Sequence, residues 1–221
     1  MLAVKNIGAT AIESIRENRK SAPYTSIFDF CARVDLRVAN RKVLESLVKC
    51  GAMDCFGAKR SQMMEVIEGA LGMGARIQKE KASGQFSFFD LGEGFSGFKK
   101  EAESLPNIPE WPQTQILSFE KELLGFYLSG HPLTHYKVEM KEFTDYSTKN
   151  LKLAVDGQEV KLVAIINSIK ITTTRRTNER MAILKIEDID GEIEVLVFPS
   201  TYPTVSQYLK GGEVVVLVGK V

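Results

Sequence analysis

Residues 4–15, VKNIGATAIESI, and residues 36–47, LRVANRKVLESL, share one frame. At an offset of 32 positions, Ile12, Glu13, Ser14 and Ile15 fall on Leu44, Glu45, Ser46 and Leu47. Downstream of Ala11 and of Val43 the apolar residues recur at helical spacing, and each run follows a residue suited to a helix start, Gly8 or Asn40. Each copy is therefore a short turn feeding a helix. Ahead of the second turn, residues 25–34, TSIFDFCARV, place Asp29 three positions after Ser26, near a capping-box spacing, with Ile27, Phe28, Phe30, Cys31 and Val34 as an apolar face. The repeated unit is helix, turn, helix.

The chemistry of such a unit lies in its turn. Gly8, with Asn6 two positions earlier, permits a tight bend that leaves backbone N–H groups at the start of the next helix, where the helix dipole favours an anion such as a DNA phosphate. Lys5, Asn6, Ile7 and Gly8 in the first copy, and Arg37, Asn40, Arg41 and Lys42 in the second, are the candidate contacts to a duplex backbone, fixing position without reading sequence. A lone turn of this kind reads first as an αα-hairpin with solvated basic residues; duplication shifts the reading to backbone binding. Before the first turn stands only MLAVK, marginal as a partner helix, so the sequence is expected to be a segment of a longer protein.

Residues 58–81 carry Met63, Met64, Ile67, Ala70 and Leu71 at helical spacing, with Gly72 and Gly74 weakening the pattern. The acidic, Gly-rich stretch that follows, through Pro106, Pro109 and Pro112, has no sustained periodicity and reads as a surface linker. A helix then carries Ile116, Leu117, Phe119, Leu123, Leu124 and Tyr127 on one side, with Trp111 sealing its start, an end at Ser129 and Gly130, and Pro132 closing it. After Val160 the period changes from 3.6 to 2 in four β-rich runs, the last two separated by PSTYPTVSQYLK, which has the length of a short helix. Three strands, a helix and a strand is the order of an OB-fold barrel without its fifth strand. The expected fold is thus multidomain, α followed by all-β. A tandem helix-hairpin-helix domain (1–82), a linker (83–111), a helical connector (112–150) and a truncated OB-fold barrel (151–221) follow one another.

An OB barrel commonly takes single strands on strands 2 and 3 and through the loop after strand 1. Here that loop holds Arg175, Arg176 and Arg180, while strand 3 turns Ile193, Val195 and Val197 to the core and Glu192, Glu194, Leu196 and Phe198 outward. The glutamates repel phosphate, which leaves Phe198 as the stacking candidate; a protein-docking or purely structural barrel is the alternative.

Composition sets the limits. With 221 residues, 44% apolar and 26% charged, the chain is of ordinary globular type. It lacks an apolar run of the ~20 residues that span a bilayer and a secretory leader at its start, so a cytoplasmic setting without a membrane partner is expected. The formal charge of +1 is uneven: residues 1–60 hold eleven Lys/Arg against six Asp/Glu, and residues 85–122 three against seven. One part attracts a polyanion and the other does not. Cys31, Cys50 and Cys55 are too few for a disulfide framework. The pairs His131/His135 and Cys50/Cys55 fall short of a closed four-ligand zinc set. No nucleophile motif, phosphate-cradling Gly loop or carboxylate cluster is present, so no catalytic residue, metal or cofactor is expected within the segment.

In order and in motif the chain resembles the bacterial replicative DNA polymerase III alpha subunits, through AVKNIGATAIESI, SIFDFCARVDLRVANRKVLESLVKCGAMDCFG, FEKELLGFYLSGHPL and MAILKIEDIDGEIEVLVFP. The resemblance implies a tandem helix-hairpin-helix unit on the duplex leaving the active site, docking of the same region on a ring-shaped sliding clamp, and an OB domain placed for single-stranded template. It also implies a parent DNA-directed DNA polymerase, a nucleotidyltransferase. Its Mg²⁺-binding aspartates lie in an earlier palm domain, and other replicase subunits are met through regions outside this sequence. Asn6 stands where that family often has glycine. Clamp-binding peptides of the family follow Gln, apolar, small or acidic, apolar, Phe, and Gln85, Phe86, Ser87, Phe88 and Phe89 fit at every position. From the residues alone, these phenylalanines serve equally as a satellite core. A non-enzymatic adaptor joining a clamp to DNA is the alternative to a polymerase segment.

Overall fold

The computed structural model describes residues 4–83 and 104–221, which separate into two units meeting between Ser129 and Gly130. In the first, α1 (Ala9–Arg19), α2 (Ile27–Arg33), α3 (Arg41–Lys49), α4 (Arg60–Glu65), α5 (Ile67–Ser83) and α6 (Gln113–Leu124) surround one apolar core. Helix α2 starts where Ser26 Oγ accepts from Asp29 N at 3.1 Å, and α3 where Asn40 Oδ1 accepts from Val43 N at 3.2 Å. Each such cap satisfies one of the amide donors that a helix start leaves over. Ala11 and Ile15 of α1, and Val43, Leu44, Leu47 and Val48 of α3, face the core at the spacing of one helical face.

Several expectations change in this unit. Gly72 and Gly74 do not weaken α5, which runs 17 residues. A Cβ on Gly74 would lie 2.5 Å from the Cys31 carbonyl oxygen, so glycine lets α5 lie directly on α2, and Gln78 Nε2 then caps the end of α2 by donating to the carbonyls of Cys31 and Val34. Helix α6 ends at Leu124 rather than near Ser129, because Gly125 takes the left-handed φ of 85° that closes a helix. Of the expected surface linker, residues 104–111 run across the start of α4. Glu110 accepts from the backbone N–H of Arg60 (2.7 Å), Ser61 (2.9 Å) and Trp111 (2.9 Å), and Ser61 Oγ donates to Pro109 O. The expected connector, 112–150, is divided, α6 going with the helices and residues from Gly130 with the barrel.

The second unit begins with a 3₁₀ turn (Pro132–Tyr136) and α7 (Lys137–Phe143), followed by a 3₁₀ turn at Leu151–Leu153. Strands β1 (Glu159–Thr173), β2 (Arg180–Glu187), β3 (Glu192–Val197) and β4 (Val214–Lys220) form an antiparallel sheet of order β3-β2-β1-β4, with α8 (Tyr202–Val205) between the last two. This is a truncated OB fold, as the sequence order implies. Strand β1 serves two partners along its length: residues 159–165 pair with β4 and residues 165–173 with β2, whose register shifts at a bulge between Ile166 and Ser168. Leu162, Ala164, Ile166, Ala182, Leu184, Ile186 and Val197 fill the concave side, while Val163 and Ile165, on the other side of β1, are covered by Leu133 and Met140. Asp188 closes the β2–β3 turn. It accepts from the N–H groups of Asp190 (2.8 Å) and Gly191 (3.0 Å), and from both N (2.7 Å) and Oγ1 (2.5 Å) of Thr148. Among the described residues no helix is long and apolar enough to cross a membrane.

Candidate nucleic-acid interface

The two helix-turn-helix copies are fastened to each other by the residues that their repeat preserves. Ser14 Oγ, on α1, accepts from the backbone N–H of Asp35 in the second turn at 2.9 Å. Ser46 Oγ, on α3, accepts from Asn6 Nδ2 in the first turn at 3.3 Å and donates to Lys42 O at 2.9 Å. Each copy thus reaches with the same serine into the turn of the other, which sets the two turns as one piece. The sequence frame contained both serines, but only the fold reveals that they are exchanged.

Within that frame the turns differ. Asn6 takes the left-handed φ of 69°, which asparagine tolerates and which glycine fills without strain, while Gly8 is extended at φ −79° and ψ 159°. The tight position is therefore Asn6 and the helix start is Gly8, whose lack of a side chain leaves the α1 amides without a side-chain cap. The backbone N–H of Lys5 donates to Leu123 O at 2.9 Å, tying this turn to the end of α6. Ile7 is buried with Val4 in the core, so its side chain supports the turn rather than facing solvent. In the second copy Asn40 already caps α3.

The charges differ as well. Lys5 and Lys42 are exposed and make no side-chain ion pair or hydrogen bond among the described residues. Arg37 grips Asp35 at 2.7 Å, and Arg41 meets Glu45 at 2.7 Å and also Glu68. The side chain and backbone N–H of Arg37 hold the Asp35 carboxyl down at about 2, so this partner stays ionised under any physiological condition. Two of the three arginine and lysine side chains of the second turn are therefore already engaged with carboxylates.

Behind the turns, a buried charge pair fixes α6. Arg60 donates through Nη1 to Glu120 Oε1 (3.0 Å) and to Lys49 O (3.2 Å), and through Nη2 to Asp54 Oδ2 (2.8 Å). Glu120 also accepts from the N–H groups of Leu128 (2.7 Å) and Ser129 (2.8 Å). Burial pushes the Glu120 carboxyl up, but these N–H groups and the Arg60 guanidinium outweigh it and hold the carboxyl below the usual range. Glu110 is likewise lowered, the three amides it caps outweighing its burial.

On the barrel, Arg175 and Arg176 lie at the tip of the β1–β2 hairpin and Arg180 at its base opposite Thr173; all three are exposed. Asn178, at φ 54°, makes the left-handed bend of this loop. By alternation Arg180 has the side of Ala182 and Leu184, the concave one, so it does not share a face with Phe198. Phe198 (56% exposed) and Leu196 (50%) do face outward, as do Glu192 and Glu194, while Ile193, Val195 and Val197 pack inward. The sheet also brings forward residues that the sequence did not single out: Lys170 lies opposite Ile183, which lies opposite Leu196, and Ser168 opposite Lys185, which lies opposite Glu194. Period-2 alternation along β1 would have found Lys170, had the bulge at Asn167 been visible.

Gln85, Phe86, Ser87, Phe88 and Phe89 fall outside the described residues. His131 Nδ1 accepts from Leu133 N at 3.2 Å, a local turn bond. Burial pushes the Cys31 thiol up to about 12 and raises that of Cys50. Among the described residues, no group of three His, Cys, Asp or Glu is placed to hold a metal ion.

Residues 1–63 match the family described as helix-hairpin-helix motif, and residues 160–221 the family described as OB-fold nucleic acid binding domain. Over 99% of its length the chain is 35% identical to DNA polymerase III subunit alpha of Bacillus subtilis. It is 34% identical over 98% to that of Borreliella burgdorferi, and 30% identical over 99% to that of Escherichia coli. In each case 19% of the relative is covered, so the chain spans about a fifth of the length of the curated relatives it matches.

Proposed function

Because the chain is homologous over nearly all its length to one segment of the DNA polymerase III alpha subunits, we propose that it grips duplex DNA by the backbone in replication. In this reading the paired hairpins hold the duplex and the barrel meets single-stranded template. The serine exchange carries the proposal: it joins two phosphate-facing turns rigidly, so that one piece of protein spans neighbouring phosphates. Lys5 and Lys42 supply the charge at the lowest cost, since Arg37 and Arg41 must first leave Asp35, Glu45 and Glu68. The motif QFSFF at residues 85–89 is proposed as a linear anchor on the sliding clamp, with Phe88 and Phe89 entering an apolar pocket and Gln85 bonding at its rim. Polymerase activity, and the Mg²⁺ it uses, are proposed for the whole protein to which the segment belongs and not for any residue described above.

The test is duplex binding as a function of salt, with two duplexes of unrelated sequence. Lys5→Ala with Lys42→Ala should weaken both equally and flatten the slope of log K against log salt by about one unit per lost phosphate contact. Arg37→Ala with Arg41→Ala should change it less. An unchanged slope in the lysine variant, or a marked preference for one duplex, would overturn the assignment.

A further inference from the structure

Helix α6 is followed by a short segment that is held from behind and apolar in front. Gly125, at φ 85°, turns the chain out of the helix. Glu120 then takes the backbone N–H groups of Leu128 (2.7 Å) and Ser129 (2.8 Å) on one oxygen, while Arg60 holds the other at 3.0 Å. Tyr127 is half-buried, with the Lys121 ammonium 5.0 Å from its ring centroid. Its neighbours on either side face solvent instead: Phe126 is 52% and Leu128 61% exposed. Two apolar side chains are thus displayed on a backbone that a buried ion pair fixes. The first hairpin turn is fastened to the same place, because the Lys5 N–H donates to Leu123 O at 2.9 Å, three residues before Phe126. Lys121 and Glu122 cancel in formal charge, and residues 123–129 carry none.

We propose that Phe126 and Leu128 form a non-ionic contact to duplex DNA, packing on deoxyribose beside the phosphate taken by the Lys5 turn. The proposal rests on the hairpins being the duplex site. Next to its phosphates a duplex offers apolar surface in the C–H edges of its sugars, which line the minor groove, and proteins that enter that groove commonly use Phe or Leu. Every nucleotide carries the same sugar, so the contact does not read sequence. Glu120 and Arg60 have already fixed the segment, so little ordering is lost on binding and the buried apolar area adds directly to affinity. Such a contact releases no counterion. It therefore strengthens binding without steepening the salt dependence, unlike Lys5 and Lys42.

The experiment titrates the full chain with two duplexes of unrelated sequence across a range of salt, with Lys5→Ala and Lys42→Ala together as the companion variant. Phe126→Ala with Leu128→Ala should weaken binding to both duplexes by about tenfold at every salt concentration, the slope of log K against log salt keeping its natural value. Phe126→Leu with Leu128→Met, which keep the segment apolar, should retain most of the affinity. Melting followed by Trp111, which packs on Phe119 of α6, should be unchanged in all of these Phe126 and Leu128 variants. Unchanged affinity in the alanine pair, while the lysine variant flattens the slope, overturns the apolar contact and leaves the duplex reading standing. A slope flattened by the alanine pair would mean that the segment only places a phosphate contact, and a sharp fall in melting that these side chains hold up the helical unit. Either result overturns the proposal. An unchanged slope in the lysine variant overturns the duplex reading itself, and this contact with it.

Discussion

Glu120 of the helical unit and Asp188 of the barrel are the two buried carboxylates among the described residues, 0% and 3% exposed; Glu120 pins the stretch just after its own helix, and Asp188 a stretch 40 positions away. Glu120 holds the backbone at Leu128 and Ser129 and is answered by a cation, Arg60, itself buried. Asp188 holds Thr148 and the β2–β3 turn with uncharged donors alone. The same task is done in one place by charge against charge and in the other by charge against dipoles. The Ser14 and Ser46 clasp of the hairpins is a third grade, with no charge at all. A buried charge left without its partner is the most expensive of these to break, and a neutral hydrogen bond the least.

The largest effect is accordingly expected for Arg60→Met, which leaves Glu120 buried without its cation and should cost about 3–5 kcal/mol. Trp111, the single tryptophan, packs against Phe119 at 5.1 Å, so its fluorescence follows the helical unit. Adding Glu120→Gln to Arg60→Met should return part of the stability; if the double variant melts no higher than the single, the two charges are not coupled. The same pair sets an acid edge. The folded carboxyls of Glu120 and Glu110 lie below the ordinary glutamate value of 4.5, so their contribution is full above that pH and is lost as pH falls through the lowered folded values. Tryptophan-detected stability should therefore fall below about pH 4.5, less steeply in the Glu120→Gln variant.

Much of the architecture is written locally and was readable: the two turns from their repeat, the helix starts at Ser26 and Asn40, and the strand order from the change of period. What escaped acts at a distance. Glu110 belongs to a stretch without periodicity, and its order comes from three amides at Arg60, Ser61 and Trp111, two of them about 50 positions earlier. Gly74 reads as a helix breaker until α2 is placed against it. Glu120 looks like one more charge on an exposed helix face, because its partners, Arg60 and the Leu128–Ser129 amides, follow no local spacing. For the candidate site, the lysines and arginines were evident in sequence, whereas their division into engaged arginines and unengaged lysines depends on Glu68, 27 positions from Arg41, as well as on the nearer Asp35 and Glu45.

A middle effect is expected for Asp188→Asn. The amide keeps one oxygen to accept with but turns an NH₂ group toward the donors at Thr148, Asp190 or Gly191, so about 1–3 kcal/mol should be lost. Hydrogen exchange of the Leu184 and Ile186 amides in β2, which lie in the barrel core, is the appropriate readout, since the tryptophan reports the other unit. Exchange should accelerate there and not in α3. A loss as large as that of Arg60→Met would show that the dipoles around Asp188 are as hard to replace as a cation, and the contrast between the two carboxylates would fail.

The smallest effect lies in the clasp, and there the two serines should not be equal. Ser14→Ala removes the acceptor of the Asp35 backbone N–H, a donor that cannot move away and is bound at 2.9 Å. Ser46→Ala removes the partner of the Asn6 side-chain amide, which is bound at the longer 3.3 Å on an exposed residue and can turn to water. About 1 kcal/mol is expected for the first and about half that for the second, by tryptophan-detected melting. Duplex affinity sharpens the point. If the exchange is what sets the two turns as one piece, Ser14→Ala should weaken duplex binding without changing its salt slope, because no phosphate contact is removed while the turns lose their fixed spacing. A lower slope would instead mean that the second turn had lost a phosphate contact outright, and unchanged affinity would mean that each hairpin grips alone.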